Sequence, residues 1–406
     1  MTSPYQLWTS LLRVSVRARI FLAAPLCLLT LAVTQSSQAQ TYTVLHNFTG
    51  GQDGGNPYAG VTLDGAGNLY GTTTTNNNGG PGSIYKLTHR SGGWTFATLY
   101  DVGGFGAVSV GPNGTLYGIN NYDAVFNLQP PPHFLPNLLA TWIETTLYAN
   151  PAGSYSGVVF DRAGNIYGTT YDGGSYGGGT VYELSPSNGG WTASVIYSFG
   201  DGADGQFPIA GLLLDASGNL YGTTEQGGAY GYGTVYELSY SAGSGWTESF
   251  LYSFTGAADG GNPYGGLIFD RSGNLYGATP GPYVASQTGG TVFKLTPSAG
   301  SWTLSTIYSF PAGGDECGPR GTPAMDAAGN LYDTTTCLGA HSYGSVFKLT
   351  PINGGWTYTS LHDFGIGNDG AYPEAGVTLD ANGHIYGTTS VGGADGDTGI
   401  VFEITP

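Results

Sequence analysis

The stretch Asp215-Ala-Ser-Gly-Asn-Leu-Tyr-Gly-Thr-Thr224 decides the fold, because copies of it recur along the chain after the first forty residues. Leu212-Leu-Leu precedes it, and Asn219-Leu-Tyr-Gly-Thr-Thr224 is its second half. Both flanks are short and rich in strand formers, and the residues between them, Asp215 to Gly218, have the composition of a tight hairpin. An Asp at this place accepts hydrogen bonds from the amides two and three residues on. Gly218 takes the left-handed conformation that closes a bulged turn. The unit is strand, turn, strand. A lone hairpin is marginal in water, so it needs neighbours.

The neighbours are its copies, which begin at Asp64, Asp161, Asp215, Asp270, Asp326 and Asp380, with a weaker one at Gly111 that lacks the Asp. Their tyrosines, 70, 117, 167, 221, 276, 332 and 386, are spaced by 47, 50, 54, 55, 56 and 54 residues. A repeat of about fifty residues built from short strands points to propeller blades of four strands each. In the fifth repeat these strands are Gly266–Asp270, Asn274–Gly277, Gly290–Thr296 and Trp302–Phe310. Their continuous apolar runs suit strands buried on both faces by stacked blades. Fourth strands start at Trp94, Trp142, Trp191, Trp246, Trp302 and Trp356. The seventh stands at the other end of the chain, as Tyr42-Thr-Val-Leu-His-Asn-Phe48 with Tyr42 in the Trp place, while Ile400 to Pro406 reads as a third strand with no fourth after it. The expected fold is therefore all-β, a seven-bladed β-propeller of four-stranded blades, closed by the N-terminal strand completing the last blade. Closure protects edges that invite aggregation, and an open solenoid would not need the offset.

Residues 1–39 read as a signal peptide ahead of a propeller domain over 40–406. Arg13, Arg17 and Arg19 lead an apolar run from Ile20 to Val33, too short for a comfortable membrane span, and Ser37-Gln-Ala39 is a cleavage signal. The alternative is an uncleaved anchor. Leu26 before Cys27 argues against a lipoprotein signal. The remaining 367 residues keep 7 of the 10 Lys+Arg and all 27 Asp+Glu. So acidic a chain will not hold nucleic acid or an anionic membrane by charge. The expectation is a secreted, extracellular or periplasmic monomer without a transmembrane anchor. Cys317 and Cys337 remain after cleavage, an even number in an exported chain, and are expected to pair.

In a four-stranded meander the Asp-x-x-Gly-Asn turns and the turns before each Trp share one face of the disc. Longer Gly-rich loops collect on the other face, and binding on rigid scaffolds usually lives in such loops. Asp53, Asp204, Asp259, Asp315 and Asp369 recur there, mostly as Asp-Gly. Carboxylates in tight loops can hold calcium, though no Asp-x-Asp-x-Asp-Gly loop occurs, and an Asp beside Gly is also a simple turn former. Tyr176, Tyr230, Tyr232, Tyr264, Tyr283, Tyr343 and Tyr372 fall in these loops and are the candidates for stacking on a ligand. Tyr70, Tyr221 and Tyr386 hold fixed strand places and read as core. Repeat two inserts Gln129 to Ala140 before its Trp, either a loop on the blade edge or, through Phe134, Leu135, Leu138 and Leu139, a docking segment.

No catalytic constellation stands out. The histidines at 46, 89, 133, 341, 362 and 384 form no metal-ligand spacing, and Gly-x-Ser-x-Gly in strand-helix context is missing. His46 and His362 hold equivalent strand places and read as packing residues. His384 replaces a turn Asn, and His341 is the one on the loop face near the cysteines.

The full repeat runs Asp-Gly-x-x-Pro-x-x-Gly-Leu-x-x-Asp-x-x-Gly-Asn-Leu-Tyr-Gly-Thr-Thr, then Gly-x-Gly-Thr-Val-Phe-x-Leu-Thr-Pro, Gly-Trp-Thr and Leu-Tyr-Ser-Phe; residues 204 to 310 follow it best. It resembles the Gloeobacter/Verrucomicrobia-type (GloVer) propeller-like repeat of exported bacterial proteins, over residues 41 to 406. The resemblance implies an exported propeller-like protein, often with a C-terminal surface anchor. Here the chain stops at Thr405-Pro406 with no sorting signal or apolar tail, which speaks against surface attachment. It carries over no catalytic residues. The functional expectation is a non-catalytic binding or scaffold protein that takes a glycan or protein on its long-loop face. The alternatives are a lyase or hydrolase acting on polysaccharide or lactone, and a purely structural surface component.

Overall fold

The Asp turn is built the same way in five repeats, and in the sixth His384 takes the Asn place, its Nδ1 3.2 Å from Asp380 Oδ2. Asp215 Oδ1 accepts from the amides of Ser217 (2.8 Å) and Asn219 (2.9 Å), while Oδ2 accepts from the Asn219 side chain (3.0 Å) and the Tyr221 hydroxyl (3.4 Å). The amides used are therefore those two and four residues on, not two and three. The third, on Gly218, donates instead to the Asp215 carbonyl at 3.2 Å, and Gly218 itself sits at φ +90°. Burial pushes the carboxyls of Asp64, Asp270 and Asp326 up, but the hydrogen bonds from Asn, amides and Tyr outweigh it and hold them below the ordinary value.

The computed structural model describes residues 40–75, 80–131, 141–149, 152–200, 204–281, 288–311, 317–365, 367–395 and 397–406. The leader, Phe134 to Leu139 of the insert, Tyr283 and Asp315 lie outside them. The described residues form seven four-stranded antiparallel sheets, spanning 62–100, 109–149, 159–198, 213–253, 268–311, 324–363, and 378–405 with 41–47. These are blades 1 to 7. Blade 4 is typical. Its inner strand is only Leu213–Leu214, followed by Leu220–Thr224, Thr234–Ser241 and the outer Gly245–Ser253. A two-stranded ribbon, Gly205–Gln206 with Gln226–Gly227, sits among the loops. No helix among the described residues is long and apolar enough to cross a membrane.

Each seam between blades is a core. Tyr167, Val181 and Phe199 of blade 3 pack on Leu212, Leu220, Tyr236 and Leu238 of blade 4, and the other seams repeat this pairing. The glycine of Leu-Tyr-Gly is demanded by the seam. A Cβ on Gly222 would lie 2.3 Å from the Tyr236 hydroxyl. Threonine hydroxyls then tie the blades together near the axis: Thr72 to Gly106 O (3.0 Å), Thr169 to Ala210 O (3.2 Å), Thr223 to Gly265 O (3.1 Å), Thr334 to Ala375 O (2.8 Å) and Thr388 to Ala59 O (2.9 Å). The last of these joins blade 7 to blade 1.

The ring closes as the sequence requires. Thr41–Asn47 pairs antiparallel with Ile400–Thr405, from Thr41 opposite Thr405 to Asn47 opposite Ile400. Tyr42, however, is not in the Trp place. It pairs with Ile404, as Tyr358 pairs with Leu349, two residues further on. Phe48 matches Phe254 and Phe310, each eight residues after its Trp, so Gln40 holds the Trp place. Tyr42 is instead an interblade residue, stacked on His362 at 3.8 Å, as Phe96 is stacked on His46 at 3.7 Å. Both histidines are packing residues.

Deleting residues 40–47 should leave Ile400–Thr405 as a bare edge and uncover the apolar surface under Tyr42 and Val44. Several hydrogen bonds at about 1 kcal/mol each and two apolar side chains at about 2 kcal/mol each are lost. Size-exclusion chromatography should show self-association, and the melting temperature should fall by roughly 10 °C or more. A monomer melting within about 2 °C of the parent would show that the strand does not close the ring.

Candidate functional site

Seven connections run from an outer strand to the inner strand of the next blade, and all reach the axis on the long-loop face. Each then delivers one side chain followed by small residues: Tyr58-Ala-Gly, Phe105-Gly-Ala, Tyr155-Ser-Gly, Ile209-Ala-Gly, Tyr264-Gly-Gly, Arg320-Gly-Thr and Glu374-Ala-Gly. The small residues are dictated by convergence. A Cβ on Gly265 would meet the Gly321 carbonyl at 1.9 Å, and one on Gly376 would meet the Thr322 carbonyl at 2.2 Å. The residue before them is free of that constraint. Together the seven line a cavity of about 540 Å³ at the mouth of the central channel.

A left-handed backbone residue sets four of these side chains. Asn56, Phe207, Asn262 and Tyr372, each just before a proline, have φ of 54°, 62°, 54° and 54°. Asn tolerates this conformation, but an aromatic residue there costs roughly 1 kcal/mol or more, and such strain concentrates at functional sites. Phe207 stacks on Tyr171 at 4.9 Å, and Tyr372 meets Tyr343 edge-on at 5.8 Å.

The mouth is divided by chemistry. From blade 1 to blade 3 the rings touch in series: Tyr58 to Phe105 at 5.9 Å, Phe105 to Tyr155 at 5.6 Å and Tyr155 to Tyr171 at 5.6 Å. Tyr58, Phe105 and Tyr155 remain 42%, 43% and 41% exposed. On the opposite side Arg320 Nη1 donates to Glu374 Oε2 at 3.0 Å, and its guanidinium lies over the Tyr264 ring at 4.9 Å. The buried Glu225 takes a hydrogen bond from Tyr171; burial first, and then Glu225, push that phenol up.

One buried group stands behind the wall. Asp333 replaces the glycine of Leu-Tyr-Gly in blade 6 and is 1% exposed. Its Oδ1 accepts from the Thr334 amide at 2.8 Å and lies 2.4 Å from where a Cβ on the wall residue Gly321 would be; its Oδ2 has no hydrogen-bond partner among the described residues. Burial pushes its carboxyl up to about 7, against the Thr334 amide.

Of the tyrosines singled out from sequence, Tyr264 is in the mouth ring. Tyr176 and Tyr230 are 57% and 62% exposed on the second-to-third loops of blades 3 and 4. Tyr232 and Tyr343 are half-buried against seam clusters. The rest of the ring was missed, although the repeat itself marks it: this one position changes between Tyr, Phe, Ile, Arg and Glu and is followed each time by two small residues.

The loop aspartates do not converge. Asp53, Asp204, Asp259 and Asp369 each accept from the amide four residues back, at 2.9, 3.1, 2.8 and 2.6 Å. Each also meets the side chain seven back, His46 (3.1 Å), Tyr197 (3.3 Å), Tyr252 (2.9 Å) and His362 (2.9 Å). Among the described residues no group of three or more His, Cys, Asp and Glu could hold a metal ion. Asp204 alone faces a second carboxyl: Tyr197 also donates to Glu248 at 2.8 Å, and burial first, then Asp204, push Glu248 up to about 7. Cys317 and Cys337 are disulfide-bonded. His341 is exposed on the neighbouring loop.

Residues 118–319 and 282–406 match the family described as the Gloeobacter/Verrucomicrobia repeat. The chain belongs to that family. No curated protein matches it. Among solved structures it is similar to a provisionally assigned oxidoreductase (glucose dehydrogenase) of Thermus thermophilus, at 15% identity and TM-score 0.45, covering 90% of this chain and 99% of that one. It is also similar to a gluconolactonase of Xanthomonas campestris, at 13% identity and TM-score 0.42 over 72% and 82% of the two chains. A protein of unknown function from Dyadobacter fermentans matches at 10% identity and TM-score 0.47 over 90% and 98%. At these values the likenesses say nothing of ligand or activity.

Asp333 gives a pH signature. A carboxyl raised on folding favours the native state fully below its unfolded value near 4, and that stability is lost as pH rises through about 7. The parent should therefore melt lower at pH 8 than at pH 5. Asp333→Asn should remove its share of that difference, on the order of 2–4 kcal/mol, and leave the share of Glu248, which burial also raises. An identical slope in the two proteins would show that Asp333 is not a titrating group.

Proposed function

We propose that this member of the repeat family is a secreted, non-catalytic binding protein whose ligand, a glycan or a protein, seats at the mouth of the central channel. The observation that carries the reading is the convergence of seven variable side chains on one cavity, with three exposed aromatics held in mutual contact. Rigid aromatic surface beside a compensated ion pair is what a ligand site offers: contact area at low entropy cost, with polar groups to fix orientation.

A second reading has one observation in its favour. Asp333 is a buried carboxyl, poised near neutrality and directly behind the cavity wall, which suits a general acid in hydrolysis or elimination on a polysaccharide or lactone. Against it, the Gly321 backbone separates Asp333 from the cavity, and no second catalytic group is paired with it among the described residues.

The test is a pull-down of the purified protein against polysaccharides and bacterial envelopes, with and without calcium, followed by assay of the liquid for released sugar. Retention that is lost in Phe105→Ala with Tyr155→Ala, and no release, is the expected result. Calcium dependence would assign the loop aspartates a role in binding. Release of sugar that disappears in Asp333→Asn would replace the binding reading with the enzymatic one.

A further inference from the structure

Three features of the mouth, taken together, specify a ligand class. The lining residues that carry full charge are Arg320 and Glu374, and they compensate one another at 3.0 Å. A charged ligand would have to break that pair or sit uncompensated beside it. A polyol need not, since its hydroxyls can donate to Glu374 and accept from Arg320 with the pair intact. The chain also carries a formal charge of −17, which disfavours polyanions. The aromatic side is a continuous surface of rings in contact, the complement of a sugar's C–H face rather than of a charge.

The aromatic surface leaves the mouth in one direction. From Tyr155 it passes to Tyr171 and then Phe207. Phe207 is tied to the next loop of blade 3 by its amide, which donates to the Gly178 carbonyl at 2.7 Å. That loop carries the exposed Tyr176, whose Cβ lies 3.2 Å from where a Cβ on Gly200 would be, at the start of the loop that leads to Phe207. On blade 4 the equivalent exposed residue is Tyr230. On blades 6 and 7 the same loop positions are His341 and Asp395, and the ion pair bounds that side.

We propose that the mouth receives the end of a neutral oligosaccharide, whose following sugars run outward over blade 3 across Tyr171 and Phe207 to Tyr176. The proposal rests on the channel mouth being the ligand site. The seven mouth residues surround the chain end, and the aromatic path out over blade 3 serves as successive subsites.

Calorimetric titration of the purified protein with gluco-, xylo- and manno-oligosaccharides of one to six residues tests it, with galacturonate and glucosamine oligomers of matched length as charged controls. Affinity for a neutral series should tighten with length and change less than about twofold between 0.05 and 0.5 M salt. Phe105→Ala and Tyr155→Ala should each weaken every length by about tenfold. Tyr176→Ala should weaken only the longer members, also by about tenfold. Length dependence unchanged in Tyr176→Ala would overturn the outward path. Binding of charged oligomers alone, still lost in the Phe105 and Tyr155 variants, would overturn the neutral class while leaving the mouth as the site. Oligosaccharide binding indifferent to Phe105 and Tyr155 would remove the site itself. No binding of any oligosaccharide would overturn the saccharide proposal, and the pull-down would then decide whether a protein ligand uses the mouth.

Discussion

Seven blades meeting around one axis leave almost no room at the inner radius, and the rest of the structure depends on that crowding. The inner strands shrink to pairs such as Leu213–Leu214, and small residues, glycine where the crowding is greatest, lead into them. At five of the seven seams a threonine hydroxyl on a neighbouring carbonyl holds the blades there, with the apolar seams outside. Because backbone and threonine supply this closure, the side chain just outside the crowded zone contributes little to it. It is free to vary, and it does.

Much of this is legible in the sequence. The repeat gives the blade, its spacing gives the number of blades, and the unpaired third strand at Ile400 gives the closure. Strand faces also follow: Tyr70, Tyr221 and Tyr386 are buried as their fixed places imply. Two details needed geometry. Tyr42 reads as the Trp equivalent if the strand is matched by its first aromatic, but register is fixed from Phe48 and moves that match by two residues. The amides that the turn Asp accepts could not be chosen from spacing, because the Gly218 amide is taken by the Asp215 carbonyl.

The site was less legible for a physical reason. A ring of seven residues, one from each repeat of about fifty, has no local signature. Its members lie next to each other only after the disc closes. Tyr264 was reached because tyrosines in loops attract attention; Phe105, Arg320 and Glu374 were not, being different residue types at one repeat position. Conversely, Tyr232 and Tyr343 sit in the right loops but turn into the seams. Asp333 and Glu248 are a further kind of departure. Asp333 puts a carboxyl where the other blades use glycine, Glu248 shares its strand place with Glu144 of blade 2 but is half-buried beside Asp204, and burial raises both towards neutrality. Exceptions to a repeat, more than the repeat itself, point to where the chain does something other than fold.

The account's central claim is that the mouth aromatics are there for a ligand and not for the propeller. Thermal unfolding of the Tyr58→Ala, Phe105→Ala, Tyr155→Ala triple variant tests it most directly. Three ring contacts at about 1 kcal/mol each should lower the melting temperature by no more than roughly 4 °C. A fall of roughly 10 °C or more would show that the rings hold the blades together, and that the mouth is part of the core.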